Sequence, residues 1–255
     1  MSRVLAIARH DAIAMAREPA AFVTLLLTPA LLMLFVKPLY RSVLAQSGDT
    51  GANGAELAVP AMTVMFAFFM VGIASEAIFR EHGWRTWDRL RVSPLRDWEL
   101  LLGKVLPSYL MVLVLFAILF GLGVGVVGFR VRGSVPAVLA ILLVLAAVVV
   151  SLAMALCAVS ASRRQAFAYE RLLALVFAGL GGALVPIALL PGWLAVPARL
   201  TPTYWAMRGF GDVVLDGRGF AAVLPELAAL GAFVLVFGVV AVSRFRMDTA
   251  RQHWD

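Results

Sequence analysis

The chain has one cysteine and three histidines in 255 residues, and both scarcities exclude something. Cys157 alone cannot form an internal disulfide, and His10, His82 and His253 are too scattered along the chain to suggest a metal site. Charge is scarce as well: 15% of residues are Asp, Glu, Lys or Arg, against about 25% in an ordinary soluble domain. A phosphate-binding loop is missing. The one Gly-Lys pair, Gly103-Lys104, has Trp98 where the first glycine of such a loop belongs and Val105 where its Ser or Thr belongs. The chain is therefore expected to hold no cofactor of its own and not to hydrolyse ATP. Nor does it carry the clustered His, Asp, Glu or Ser/Lys pair at one depth that an intramembrane hydrolase or lipid transferase needs.

Apolar residues are what the chain has in quantity. They make up 62% of it, with a mean hydropathy of +0.94. No single water-soluble core absorbs that surplus, so it faces lipid. Six stretches approach the roughly 20 residues that cross a hydrocarbon layer: 20–36, 59–78, 105–128, 135–159, 172–190 and 227–242. Before them, residues 1–19 form a segment in which Arg3, Arg9, His10 and Arg17 share about a third of the helical wheel. That pattern suits an amphipathic helix lying in the interface. Residues 191–224 are less apolar and are punctuated by Pro, Gly and Trp. The fold class is all-α integral membrane, a single transmembrane domain over residues 1–255.

The net charge of +7 does not point to nucleic acid, because the basic residues lie between apolar runs rather than on one face. They report topology. Fifteen Lys and Arg fall in the segments on one side of the six spans and seven on the other, namely Lys37, Arg41, Arg130, Arg132, Arg199, Arg208 and Arg218. The richer side is cytoplasmic by the positive-inside rule. Both termini are then cytoplasmic, and 191–224 is extracytoplasmic.

The longest charge-rich segment, 80–104, joins the second and third spans. Opposite charges alternate through Glu81, Arg85, Asp88 and Arg89, and Trp84, Trp87 and Trp98 interleave with them. Ser93-Pro94 divides the segment into two helical pieces. A solvated loop has no need of three tryptophans, whereas a helix pair that docks a partner, or one seated in the interface, has.

The pattern Glu-x-Gly at Glu81–Gly83, Pro94-Leu95 and Trp98-Glu99-Leu100-Leu101-Leu102-Gly103-Lys104 resembles the cytoplasmic segment of ABC-2-type transporter permeases. Leu190-Pro191-Gly192-Trp193, followed by Thr201-Pro202, is similar to that family's region before its last span, with Thr-Pro standing where Asn-Pro is commoner. The order of elements along nearly the whole chain resembles the family too, and this resemblance implies that residues 191–224 are a re-entrant helical region. The resemblance implies a drug- or lipid-export-like permease subunit whose 80–104 segment is a coupling helix in a cleft of a separate ABC-type ATPase, which carries ATP and Mg. It assigns docking to Glu81, Gly83, Trp84, Arg85, Trp87, Asp88, Arg89, Leu90 and Pro94. It also implies a second copy or a paralogue as partner, with spans two and five facing the route between subunits.

Other residues bear on that route. Phe66, Phe68 and Phe69 either line a hydrophobic path or pack against neighbouring helices. The glycines at 121, 123, 125 and 128 and at 179, 181 and 182 read as positions where helices approach closely. Glu170 and Glu226 read as residues at the entries to spans five and six, Pro186 as a kink in span five, and Cys157 as a small core residue. An ion-coupled secondary transporter, the competing class, requires paired charges at mid-membrane depth. None is evident in the sequence.

Overall fold

The computed structural model describes residues 19–49, 51–83 and 97–244, and among them there are helices and turns but no strand. The seven longest helices among the described residues are α1 (Pro19–Gln46), α2 (Ala55–Gly83), α3 (Asp97–Leu122), α4 (Val135–Val159), α5 (Arg163–Leu180), α6 (Pro202–Phe210) and α7 (Leu224–Arg244). Five stretches are long and apolar enough to cross a membrane: Val23–Gln46, Ala55–Gly72, Leu102–Val127, Val135–Val159 and Phe220–Arg244. The protein is an all-α, multi-pass membrane protein. Of the interfacial segment expected at residues 1–19, residues 1–18 lie outside the described residues, and Pro19 opens α1.

Several boundaries follow from local chemistry. The first span was expected to stop at Lys37-Pro38, yet α1 runs through Pro29 and Pro38 to Gln46. Proline is tolerated inside a spanning helix where neighbours satisfy the freed backbone groups, and Lys37 reaches sideways instead of ending the helix. The connection from α1 to α2 is accordingly short. There Asn53 and Glu56 start α2 reciprocally: Asn53 Oδ1 accepts from the Ala55 amide at 2.8 Å, and Glu56 Oε2 accepts from the Asn53 amide at 3.1 Å. The fourth span coincides with α4, whose first turn is capped by Ser134 and contains Pro136.

Span five is corrected. No single helix covers 172–190. Helix α5 starts at Arg163, where Ser162 accepts from the Gln165 amide and Gln165 accepts from the Ala161 amide at 2.7 Å, and it ends at Leu180. Gly182, at φ +88°, takes the left-handed conformation that terminates it. Pro186 therefore stands beyond the helix, before a 3₁₀ turn at Ile187–Leu189, and kinks nothing. At 18 residues α5 is about 27 Å long, and it carries Arg163, Arg164, Glu170 and Arg171, which keep it out of the strongly apolar set. The expected segment 80–104 is also divided: 97–104 belongs to α3, and α2 continues to Gly83.

The most buried of the apolar stretches is that of α2, which packs against α1, α3, α4, α5 and α6, while α7 lies along α4. The core that results contains Phe68, Met70, Leu115, Phe116, Leu145, Val149 and Phe210. Much of α1 and α7 remains apolar and exposed, including Leu31, Phe35, Leu235 and Val239. That is how a helix facing hydrocarbon looks.

Candidate functional site

The end of the bundle that carries 47–54, 128–134 and 211–219 is tied by side chains reaching across long stretches of sequence. Lys37 Nζ donates to the Val127 carbonyl at 2.6 Å, placing a cation on the last turn of the α3 unit, which closes as a π-turn over Gly123–Val127. Asn53 Nδ2 donates to the Gly128 carbonyl at 2.8 Å. Arg132 joins Asp49 and Leu215, and Arg218 contacts Asp212 at 3.0 Å and Asp216 at 3.2 Å. The Arg132 guanidinium holds the Asp49 carboxyl below the usual carboxylate range, and the Gly51 and Ala52 amides act in the same direction.

Residues 187–223 form short helical pieces rather than a crossing, with α6 as the longest. Thr201, at the position where Asn would be commoner by resemblance, does what an asparagine cap does. Its Oγ1 accepts from the Tyr204 amide at 3.4 Å to start α6, and it donates to the Ala198 carbonyl at 2.7 Å. Thr203 Oγ1 donates to the Phe177 carbonyl at 2.6 Å, and a Cβ at Gly181 would overlap it. Close packing thus accounts for Gly181, and likewise for Gly123, which rests on Val59, whereas Gly121, Gly125 and Gly179 face open space.

Two carboxylates expected at the entries to spans are buried. Glu226, in the first turn of α7, is buried, and Arg208 Nε of α6 meets its Oε1 at 3.1 Å. Glu170 lies seven residues inside α5 and is 6% exposed. It belongs to a buried stripe at four-residue spacing: Ala166, Glu170, Ala174, Ala178. Its carboxyl lies on the α2 backbone at Gly72, where a Cβ would overlap both oxygens. Oε2 has no hydrogen-bond partner among the described residues. In the same seam Phe68 is buried and meets Phe177 edge-on at 5.4 Å. Phe66 is buried and tilts against the half-buried Phe69 at 5.5 Å. Lys104, in the second turn of α3, is buried too, and Gly103-Lys104 is interior to a continuous helix. The charge spacing in the sequence did not reveal these groups, because each lies in or beside an apolar run. The four-residue stripe through Glu170 was the available signal.

Of the proposed docking residues, Glu81 and Gly83 fall in the last turn of α2. Trp84, Arg85, Trp87, Asp88, Arg89, Leu90 and Pro94 lie outside the described residues.

The described residues thus form a polytopic helical bundle with buried charges and short helices before its last long helix, the architecture of a multi-pass membrane protein. The chain belongs to the ABC-2 type transporter family, whose profile matches residues 2–215. Members of that family are the membrane-spanning subunits of ABC transporters. The matched region runs from the N-terminal segment through α6 and includes the connection between α2 and α3. No curated protein matches the chain.

Proposed function

We propose that this protein is the permease subunit of an ATP-driven exporter in the cell membrane. A separate ABC-type ATPase docks on Glu81–Pro94, and two permease chains, identical or paralogous, enclose the route. The observation that carries this reading is the position of the charge-rich segment. It connects the end of α2, the most buried of the apolar stretches, to the start of α3. A force on the connection is thereby delivered into the centre of the bundle, which is what coupling to a cytoplasmic motor requires. Trp84, Trp87 and Leu90 act as apolar anchors, with Glu81, Arg85, Asp88 and Arg89 around them. Gly83 and Pro94 shape the bend. The cargo is hydrophobic or amphipathic, of the class of a drug, a lipid or a lipid-linked glycan, in keeping with the apolar route that Phe66, Phe68 and Phe69 would border. ATP and Mg bind the partner, and no nucleic acid takes part.

The test is a pull-down of the ATPase at matched permease expression, comparing the native chain with Arg89→Glu and Trp87→Ala. Anchor truncation at an interface costs about 2 kcal/mol or more, so retention should fall at least tenfold with membrane insertion intact. Full retention in both variants sinks the docking assignment.

One observation favours a second reading, an ion-coupled carrier. The Glu170 carboxyl is buried inside a helix seam with one oxygen unpartnered, and intramembrane carboxyls are the usual parts of proton relays. Export that persists without the ATPase and collapses with a protonophore would select this reading over the first.

A further inference from the structure

Helix α2 runs unbroken from Ala55 to Gly83, and one of its turns differs from the rest in composition. Gly72, the residue with no side chain to stiffen a helix, is followed three positions later by Ser75, whose hydroxyl donates to the Gly72 carbonyl at 2.9 Å. Glycine and serine in one turn mark a place where helices kink, and a serine that bonds back onto its own helix bends it. Two neighbouring helices address the same turn. Cys157 Sγ of α4 donates to the Ser75 carbonyl at 3.7 Å. Glu170 of α5 lays its carboxyl on Gly72, in the place a Cβ there would take.

The arrangement is unusual in its economy of partners. Opening a helix turn in hydrocarbon strands backbone groups at several kcal/mol each unless neighbours take them up. Here polar groups stand beside the turn: the Glu170 carboxyl against Gly72, a donor for the Gly72 carbonyl from Ser75, and a donor for the Ser75 carbonyl from Cys157. Glu170 is the one long polar side chain in an otherwise alanine stripe, and Gly72 is what admits it.

We infer that Gly72–Ser75 is a hinge in α2 and that Glu170 is the positioning residue that holds it, receiving the Gly72 amide when the helix bends. The eleven residues after Gly72, through Gly83, form an arm about 16 Å long, ending where the charged connection begins. This deepens the exporter reading and rests on it only for the source of the motion. The bend is the step that turns a displacement of the connection into a change in the α2–α5 seam.

The experiment measures the distance between spin labels at His82→Cys and Val159→Cys in a Cys157→Ser background, which keeps a donor at 157. A bend of about 20° moves the end of the arm by roughly 5 Å. In the complex with its ATPase, trapping with ATP and vanadate should shift this distance by about that much. Glu170→Gln, which retains an acceptor of the same size, should keep the shift. The pair Gly72→Ala with Glu170→Ala refills the seam and restores packing, yet removes both the flexible residue and its waiting acceptor. Its shift should fall at least threefold while the complex still assembles. If Glu170 only fills space, the double variant moves like the native chain, and that result overturns the inference, as does a native complex that hydrolyses ATP with no shift. Should no ATPase assemble with the native chain, the exporter reading fails instead. The hinge is then decided in nanodiscs on the chain alone, where the native distance distribution should be broad or bimodal and that of the double variant single. Equal distributions overturn it.

Discussion

Arg132 holds Asp49 through both carboxylate oxygens, at 2.6 and 3.1 Å, and donates again to the Leu215 carbonyl at 3.2 Å. One guanidinium thus ties the α1–α2 turn to the connection before α4 and to the segment after α6. Its position between three chain segments gives it more structural reach than an isolated surface pair.

The first prediction concerns acid. Arg132 lowers the Asp49 carboxyl below its ordinary value, so the unfolded chain takes up this proton at higher pH than the folded one. The tie's contribution is fully present above the unfolded value, about 3.9, and fades as pH falls through the lower folded value. At pH 6, Asp49→Asn and Arg132→Ala should each melt about 1–3 °C below the native protein. The gap between native and Asp49→Asn should close as pH drops below about 4. A gap that is constant from pH 6 to 3 would show that Asp49 titrates alike in both states.

Gly54 sets the second. It has φ +90°, and a Cβ there would lie 2.7 Å from the Arg41 amide nitrogen and overlap the Lys37 carbonyl. Gly54→Ala should destabilise by more than about 2 kcal/mol, combining the left-handed conformation with a clash against backbone that cannot retreat. Gly121→Ala, inside α3 with open space around it, should be neutral or stabilise by about 0.5–1 kcal/mol. Thermal melts of the two variants side by side would test the contrast, and equal midpoints would contradict it.

The third prediction is at Arg208 and Glu226. Removing Arg208 leaves a buried carboxylate without its cation, whereas removing the charge of Glu226 leaves an exposed arginine in solvent. Arg208→Ala should therefore cost about 1–3 kcal/mol, and Glu226→Gln clearly less. The double variant should recover part of the Arg208→Ala loss. Equal single-variant losses with simple additivity in the melting curves would mean that the two side chains act independently.

Topology supplies the fourth. Cysteines placed at Ser47 and Gly217, in a Cys157→Ala background, should react with membrane-impermeant thiol reagents in intact cells. Cysteines at Ser93 and Ser162 should be protected until the membrane is permeabilised. The 15-to-7 division of Lys and Arg motivates this. Labelling of Ser93→Cys from outside would invert the orientation and remove the docking site from the cytoplasm.

Legibility in the sequence followed the range of the interaction involved. Helix α4 was readable to the residue because its ends are local events, a Ser-Val-Pro start and a Ser160 stop. The Ser162…Gln165 cap was equally local, yet the apolar run after it drew the fifth span downstream. That run joins the end of a helix to a glycine turn and a proline, and hydropathy sums across all three. The rim contacts were out of reach, because Lys37 finds Val127 ninety positions away and Asn53 finds Gly128 seventy-five away. No local pattern encodes such a meeting. Glu170 was misplaced for a related reason: beside Arg171 it looks like the polar edge of a span, and only the facing glycine, nearly a hundred residues earlier, reveals that it points inward.

The stitching of one rim has a geometric consequence for the whole bundle. With Lys37, Asn53 and Arg132 fastening neighbouring helix ends to one another, those ends act as the rivet of a folding fan, and the helices as its blades. A blade swung by about 5° around such a rivet scarcely disturbs the stitched edge. At the far end of α2, 29 residues and roughly 43 Å away, the same swing sweeps about 4 Å. Gaps between blades can thus widen toward the far ends of the helices while the stitched edge stays shut.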